Sequence, residues 1–204
     1  MKFGMVNQFS AIYQGLNMDI GEKQALIDLE MLLKEPIPVV SLLDSFKFGF
    51  ISISDHVARL GIPRKDLVTL PDSFCNLTSL QELALFGNRL STLPDAFGNL
   101  TSLRFLNLVQ NNLITLSPSF SKLVSLKILY LNENQIKILP GDFGDLISLK
   151  RLNLRNNKLE SLPSSFSELA NLELLWIENN PLDEVARRIL RSLIERGVTI
   201  DIAP

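Results

Sequence analysis

The sequence predicts an α/β fold: a right-handed solenoid with a concave parallel β-sheet and a thin convex side of 3₁₀ and irregular segments. A helix plus hairpin caps its N-terminal end and a helix caps its C-terminal end. Three observations carry this. Leu83, Leu106, Leu129, Leu152 and Leu175 recur every 23 residues, as do Leu85, Leu108, Leu131, Leu154 and Ile177, and self-similarity at a fixed period is the mark of a solenoid. A column of asparagines marches with them: Asn88, Asn111, Asn134, Asn157 and Asn180. A third column, Phe74, Phe97, Phe120, Phe143 and Phe166, follows turn signals such as Leu70-Pro71, Leu93-Pro94, Leu139-Pro140 and Leu162-Pro163.

Taken from the N-terminus, the first 18 residues intersperse polar Asn7, Gln8, Ser10 and Gln14 among apolar ones and are expected to be loosely held. They lack the unbroken apolar run of a signal peptide, roughly 7 to 15 residues. Gly21 to Lys34 carries Leu26, Leu29 and Leu33 at helical spacing, and Pro36 and Pro38 stop the helix. In GFISISDHVARLGI two β-rich runs flank Ser54, Asp55 and His56, predicting a hairpin. Leu60, Ile62 and Leu67 then occupy strand and turn positions of the 23-residue register, with Lys65 where the asparagine belongs, so VARLGIPRKDL reads as a degenerate first repeat.

Five full repeats follow. The LxL alternation is the period-2 pattern of a short strand with one buried face. The Asn after it stands where the chain turns, and its amide offers donors and an acceptor to turn backbone groups otherwise buried unpaired. On the return path Phe74, Leu77 and Leu80 are three apart, as are Phe97, Leu100 and Leu103, which suits a 3₁₀ segment. One repeat buries about seven apolar side chains at roughly 2 to 3 kcal/mol each, against roughly 1 to 2 kcal/mol of backbone ordering for each residue. A lone repeat therefore cannot fold, and neighbours must close its core. The chain divides into residues 1–67 (N-terminal segment, capping helix, hairpin and degenerate repeat), 68–182 (full repeats) and 183–204 (capping helix and strand). That last helix is signalled by Pro181 and Asp183, an apolar face of Val185, Ile189, Leu190, Leu193 and Ile194, and Gly197 beyond its end; Val198 and Ile200 continue the strand positions.

Composition narrows the function. A net charge of -2 with scattered charges gives no basic stripe for phosphate backbones, so nucleic acid is not the expected partner. No apolar run approaches the length of about 18 residues that spans a membrane. The single cysteine, Cys75, cannot form an internal disulfide, which points to a reducing, cytoplasmic setting. Cys75 reads as a small filler on the convex side, and the only histidine, His56, sits at a hairpin turn without a nucleophile or acid partner in motif spacing. There is no phosphate-binding glycine loop and no Cys/His cluster at metal spacing. No catalytic residue, cofactor or metal is expected. Asn76-Leu77-Thr78 and Asn99-Leu100-Thr101 match the glycosylation pattern, but both are repeat consensus positions.

The consensus LPxxFxxLxxLxxLxLxxNxL covers most of the chain and resembles cytoplasmic leucine-rich-repeat proteins of the Ras-suppressor and Ras-scaffold type. EKQALIDLEMLLKEPIPVV, FGFISISDHVARLGI and the ending NPLDEVARRILRSLIERGVTIDI are similar to free-standing prokaryotic, particularly archaeal, members of that class. The resemblance implies a stand-alone recognition module, with a small GTPase or other signalling protein among its possible partners. One departure is Leu116-Ser117-Pro118, where the proline has slipped by one position.

In such a sheet, residues flanking the strand leucines point outward on the concave face. The column before the first leucine reads Arg59, Glu82, Phe105, Ile128, Arg151, Leu174. Between the leucines stand Gly61, Ala84, Asn107, Tyr130, Asn153, Trp176, and after them Pro63, Phe86, Val109, Asn132, Arg155, Glu178. Phe86, Phe105, Val109, Ile128 and Tyr130 thus form one apolar patch, Leu174 and Trp176 a second, with Arg151 and Arg155 between them. Trp, Tyr and Arg are enriched at binding hot spots, so these nine residues are the candidate protein-binding site. Packing of the aromatics on one another, or a homodimer through the same face, is the competing reading.

Overall fold

The computed structural model describes residues 16–41 and 47–201. Helix α1 (Ile20–Leu33) precedes an eight-stranded sheet whose strands lie in chain order: β1 (Gly49–Ile53), β2 (His56–Gly61), β3 (Glu82–Ala84), β4 (Phe105–Asn107), β5 (Ile128–Tyr130), β6 (Arg151–Asn153), β7 (Leu174–Trp176) and β8 (Thr199–Asp201). Helix α2 (Glu184–Glu195) lies between β7 and β8. β1 and β2 are antiparallel; every later pairing is parallel. The fold is the predicted α/β solenoid.

The N-terminal cap forms where the spacing put it. The Asp19 carboxylate accepts the Gly21 N–H at 2.7 Å, the N-cap interaction that frees a helix start from an orphan donor, and α1 ends at Lys34 in a left-handed conformation. Leu26 and Leu29 are buried against the first 3₁₀ segment, Asp72–Asn76. Of the expected loose segment only 16–18 lies within the described residues, and there Met18 is buried in the core. Ser54 and Asp55 both have positive φ, as a tight primed hairpin turn requires. Phe50 exchanges backbone bonds of 2.9 Å with Pro38 and Val40, so the outer edge of β1 is partly covered.

From β2 to β7 the leucine columns pair in register, Leu60 with Leu83 through Leu152 with Leu175. Behind them the 3₁₀ segments stack, and the phenylalanines form a spine with all five rings fully buried and nearly parallel, 5.8 to 6.5 Å between centroids. Pro118 sits in the first turn of its 3₁₀ segment (Pro118–Lys122), with Ser117 taking the preceding position that Pro71, Pro94 and Pro163 hold elsewhere. The slip leaves the backbone unchanged because the first turn has no use for the missing N–H: Phe120 still bonds the Ser117 carbonyl at 3.0 Å, as Phe97 bonds that of Pro94.

The asparagine column joins each turn to the one before it. Asn134 Oδ1 accepts the Leu113 N–H at 3.0 Å, and its Nδ2 donates to the carbonyls of Leu108 and Leu131 at 2.9 and 3.0 Å. Asn88, Asn111, Asn157 and Asn180 repeat the pattern. The residue ahead of each asparagine, Gly87, Gln110, Glu133, Asn156 or Asn179, has positive φ, which turns the chain off the strand.

At the C-terminal end Asp183 caps α2 by accepting the Ala186 N–H at 2.7 Å, and Gly197 follows with φ 91°. Two sequence expectations need correction here. The buried face of α2 is Ala186, Leu190 and Leu193, with Ile189 at its flank, while Val185 and Ile194 are 59% and 49% exposed; a helix seated on the last repeat has room for one narrow stripe. The expected pairing of Val198 with the Leu175 position is also displaced by two residues, since Leu175 pairs with Ile200. The helical return is longer than a 3₁₀ return, and a shift of two preserves which side chains face the core.

Candidate functional site

The concave face lies over β3 to β7, on the side of the sheet away from the 3₁₀ segments; the helices pack at the two ends, α1 on the first 3₁₀ segment and α2 on the last. Register places Phe105 beside Ile128 and Asn107 beside Tyr130. The rings of Phe105 and Tyr130 meet edge to face, 5.9 Å apart at 89°. With Ile128 they make a contiguous half-buried apolar surface, and Val109 lies on the same side of the next turn. Leu174 and Trp176, also half-buried, occupy β7, and Arg151 stands exposed between the two clusters.

Two predicted site residues are placed differently. Phe86 is 6% exposed: the Arg64 guanidinium lies 5.4 Å from its ring centroid, an attractive cation–π geometry that also shields the ring from water. Arg155 is not presented outward for a partner. Its Nε lies 2.7 Å from a Glu178 carboxylate oxygen and its guanidinium also binds Asp201, so the patch boundary is an internal ion-pair network.

A column that the sequence reading passed over borders the same face. One position ahead of the Arg59-to-Leu174 column stand Gln81, Arg104, Lys127, Lys150 and Glu173, and a 23-residue recurrence of three cations was the signal. Gln81, Arg104, Lys127, Glu82, Phe105 and Ile128 line most of an open depression of about 370 Å³.

The remaining chemistry-bearing residues serve the fold. Glu22 is buried in the N-terminal cap, where burial pushes its pKa up against the opposing pull of the Val57 N–H and of His56. His56 opens β2, with Nδ1 at 3.4 Å from Glu22 Oε2 and its side chain half exposed. The Cys75 thiol is buried, and its pKa is raised to about 11 by desolvation, with Asp72 nearby adding to the shift; thiolate chemistry at neutral pH is suppressed. Among the described residues no group of three or more His, Cys, Asp or Glu is placed to hold a metal, and no helix is long and apolar enough to cross a membrane.

A parallel-strand solenoid with amide-bonded turns, an aromatic spine and an open curved sheet is a repeat-type recognition scaffold. Comparison with known proteins makes the class specific. The sequence profile of the leucine-rich repeat matches residues 55–113, 115–159 and 138–182, and the chain belongs to the leucine-rich-repeat family. Among solved structures it is similar to a leucine-rich-repeat protein of Leptospira interrogans, at 30% identity and a TM-score of 0.50 over 66% of this chain and 40% of that one. It is also similar to the leucine-rich-repeat ectodomain of the plant membrane receptor kinase GASSHO1/SCHENGEN3 from Arabidopsis thaliana, solved in complex with CASPARIAN STRIP INTEGRITY FACTOR 2, at 28% identity and a TM-score of 0.55 over 67% of this chain and 17% of that one. The chain thus spans less than half the length of the first and about a sixth of the second. A comparison with curated proteins gave no match. Leucine-rich-repeat domains are, as a class, protein-interaction modules.

Proposed function

We propose that this chain is a non-enzymatic scaffold or adaptor that binds another protein on its concave sheet face. The observation that carries the reading is the adjacency of Phe105, Ile128 and Tyr130 on neighbouring strands, on a face that the leucine consensus leaves free to vary. Trp176 and Leu174 form a second anchor one strand beyond Arg151. Large half-buried aromatics around a few cations are the composition of interface hot spots. The plant receptor ectodomain, crystallised with its bound factor, supports an interaction role for this architecture. We place the protein in the cytoplasm on the strength of its single, buried, unpaired cysteine, and the family resemblance makes a small GTPase or signalling protein the first partner to try.

The alternative is self-association through the same face. Light scattering after size exclusion separates the two: a monomer whose partner capture is lost in Trp176→Ala supports the proposal, whereas a dimer that this substitution returns to monomer assigns the face to self-assembly. Capture that survives Trp176→Ala, Phe105→Ala and Tyr130→Ala together overturns the site.

A further inference from the structure

The concave face is electrostatically lopsided. Along the rim where the strands begin, the backbone holds the cation column in register: the Lys127 N–H donates to the Arg104 carbonyl at 2.9 Å and the Lys150 N–H to that of Lys127 at 2.9 Å. Successive side chains therefore stand one strand spacing apart, about 5 Å. Some of this charge is answered within the protein. Arg59 lies 3.3 Å from Glu82, and Lys150 2.7 Å from Glu173. Arg104, Lys127 and Arg151 are exposed and, among the described residues, make no close ion pair, although the Glu173 carboxyl pKa is lowered by Lys150 with a contribution from Arg151. Arg104 and Lys127 line the depression whose apolar part is Phe105 and Ile128, and Arg151 continues the rim beside Ile128. The opposite rim, past the strand ends, is largely answered within the protein: Glu178 and Asp201 hold Arg155, Arg64 lies over Phe86, and Glu133 accepts the Gln110 amide at 2.7 Å.

We propose that the occupant of the basic rim is an extended acidic segment of another protein. Its carboxylates lie against Arg104, Lys127 and Arg151, and an apolar side chain enters the depression over Phe105 and Ile128. The inference deepens the concave-face reading and rests on it. Charge complementarity selects the partner: three exposed cations on successive strands about 5 Å apart span roughly 10 Å, the length of about three residues of an extended peptide. They are too few for a polyanion, whose affinity grows with each phosphate neutralised. Apolar anchoring beside charge pairs gives such an interface both affinity and register.

The test is selection of a displayed library of short random linear peptides against the immobilised whole protein, beside the double charge reversal Arg104→Glu/Lys127→Glu, whose fold is checked by circular dichroism. Wild type should enrich peptides with Asp or Glu flanking a Leu, Phe or Trp. Those peptides should bind the reversed protein on the order of tenfold more weakly or worse, and should lose affinity as salt rises. Enriched peptides without an acidic bias, or equal binding to both proteins, overturn the acidic partner. If such neutral peptides are lost on Tyr130→Ala or Trp176→Ala, the concave-face reading stands alone; if they are not, both readings fall. A single-stranded thymidine oligonucleotide bound through Arg104 and Lys127, with no acidic peptide enriched, assigns the rim to nucleic acid and also overturns the proposal. So does a homodimer that the double reversal dissolves.

Discussion

Tyr130 meets Phe105 across one strand boundary, ring edge to ring face at 5.9 Å. The contact belongs to the fold and to the surface at once, because both side chains are half-buried. An edge-to-face pair is worth about 0.5 to 1.5 kcal/mol beyond the area it covers. Phe105→Ala and Tyr130→Ala should each lower unfolding stability by roughly 1 kcal/mol, and the double variant should lose less than the sum by about that coupling energy. Urea titration of the four proteins measures it. Strict additivity would mean that the rings do not touch in solution.

Asn134 bonds backbone groups of two successive turns. Asn134→Ala leaves the buried Leu113 N–H without its partner, while the Leu108 and Leu131 carbonyls keep the amides of Asn111 and Asn157, so a loss of about 1 to 3 kcal/mol is expected in chemical unfolding. Asn180 bonds in the same way but lies in the last turn and is only half-buried, so Asn180→Ala should cost less. Equal losses would show that water reaches the inner turns as freely as the last.

The 3₁₀ segments stack closely enough to exclude a single methyl group. A Cβ at Gly98 would lie 1.9 Å from the Ser119 carbonyl oxygen, whereas one at Gly141 would meet nothing within 4 Å. Gly98→Ala should destabilise by roughly 1 to 3 kcal/mol through backbone displacement, and Gly141→Ala should be neutral within about 0.5 kcal/mol. Thermal melts of the two variants check the contrast, and a neutral Gly98→Ala would mean that the convex side is looser than its stacking indicates.

Burial raises the Cys75 thiol pKa to about 11 from an ordinary 9.0. The unfolded chain loses this proton first, so between about pH 9 and about pH 11 deprotonation favours unfolding, and the stability linked to this thiol declines as pH rises. Below pH 9 the group contributes no slope. Iodoacetamide at pH 8 should label the native protein far more slowly than the urea-unfolded chain; equal rates would place the thiol at the surface.

The periodic parts of the fold were legible because one physical requirement repeats: each turn needs its Leu, Asn and Phe, so a 23-residue count finds them. What escaped lies where a side chain answers another repeat. Phe86 belongs to an outward column by count, yet Arg64, one repeat earlier, crosses over its ring. Arg155 has Glu178 one period ahead, but its second partner, Asp201, reaches it only because β8 is set by the length of α2, which shifts the register by two residues. The stripe on α2 was drawn too wide for the same reason, since sequence shows which residues are apolar and only packing shows which of them fit. The basic column at Arg104, Lys127 and Lys150 was present in the spacing; which of its members lack a neutralising carboxylate emerges only in three dimensions.

The central claim is that partners meet the concave sheet. Site-specific photo-crosslinking tests it most directly: a benzoylphenylalanine in place of Ile128 on the concave face, against one in place of Ile147, an exposed position on the convex side, each irradiated with the native cellular extract. The account predicts crosslinks to a foreign polypeptide from position 128, reduced by Tyr130→Ala or Trp176→Ala, and none of comparable yield from position 147. Crosslinks confined to position 147, or from position 128 to another copy of this chain alone, would contradict it.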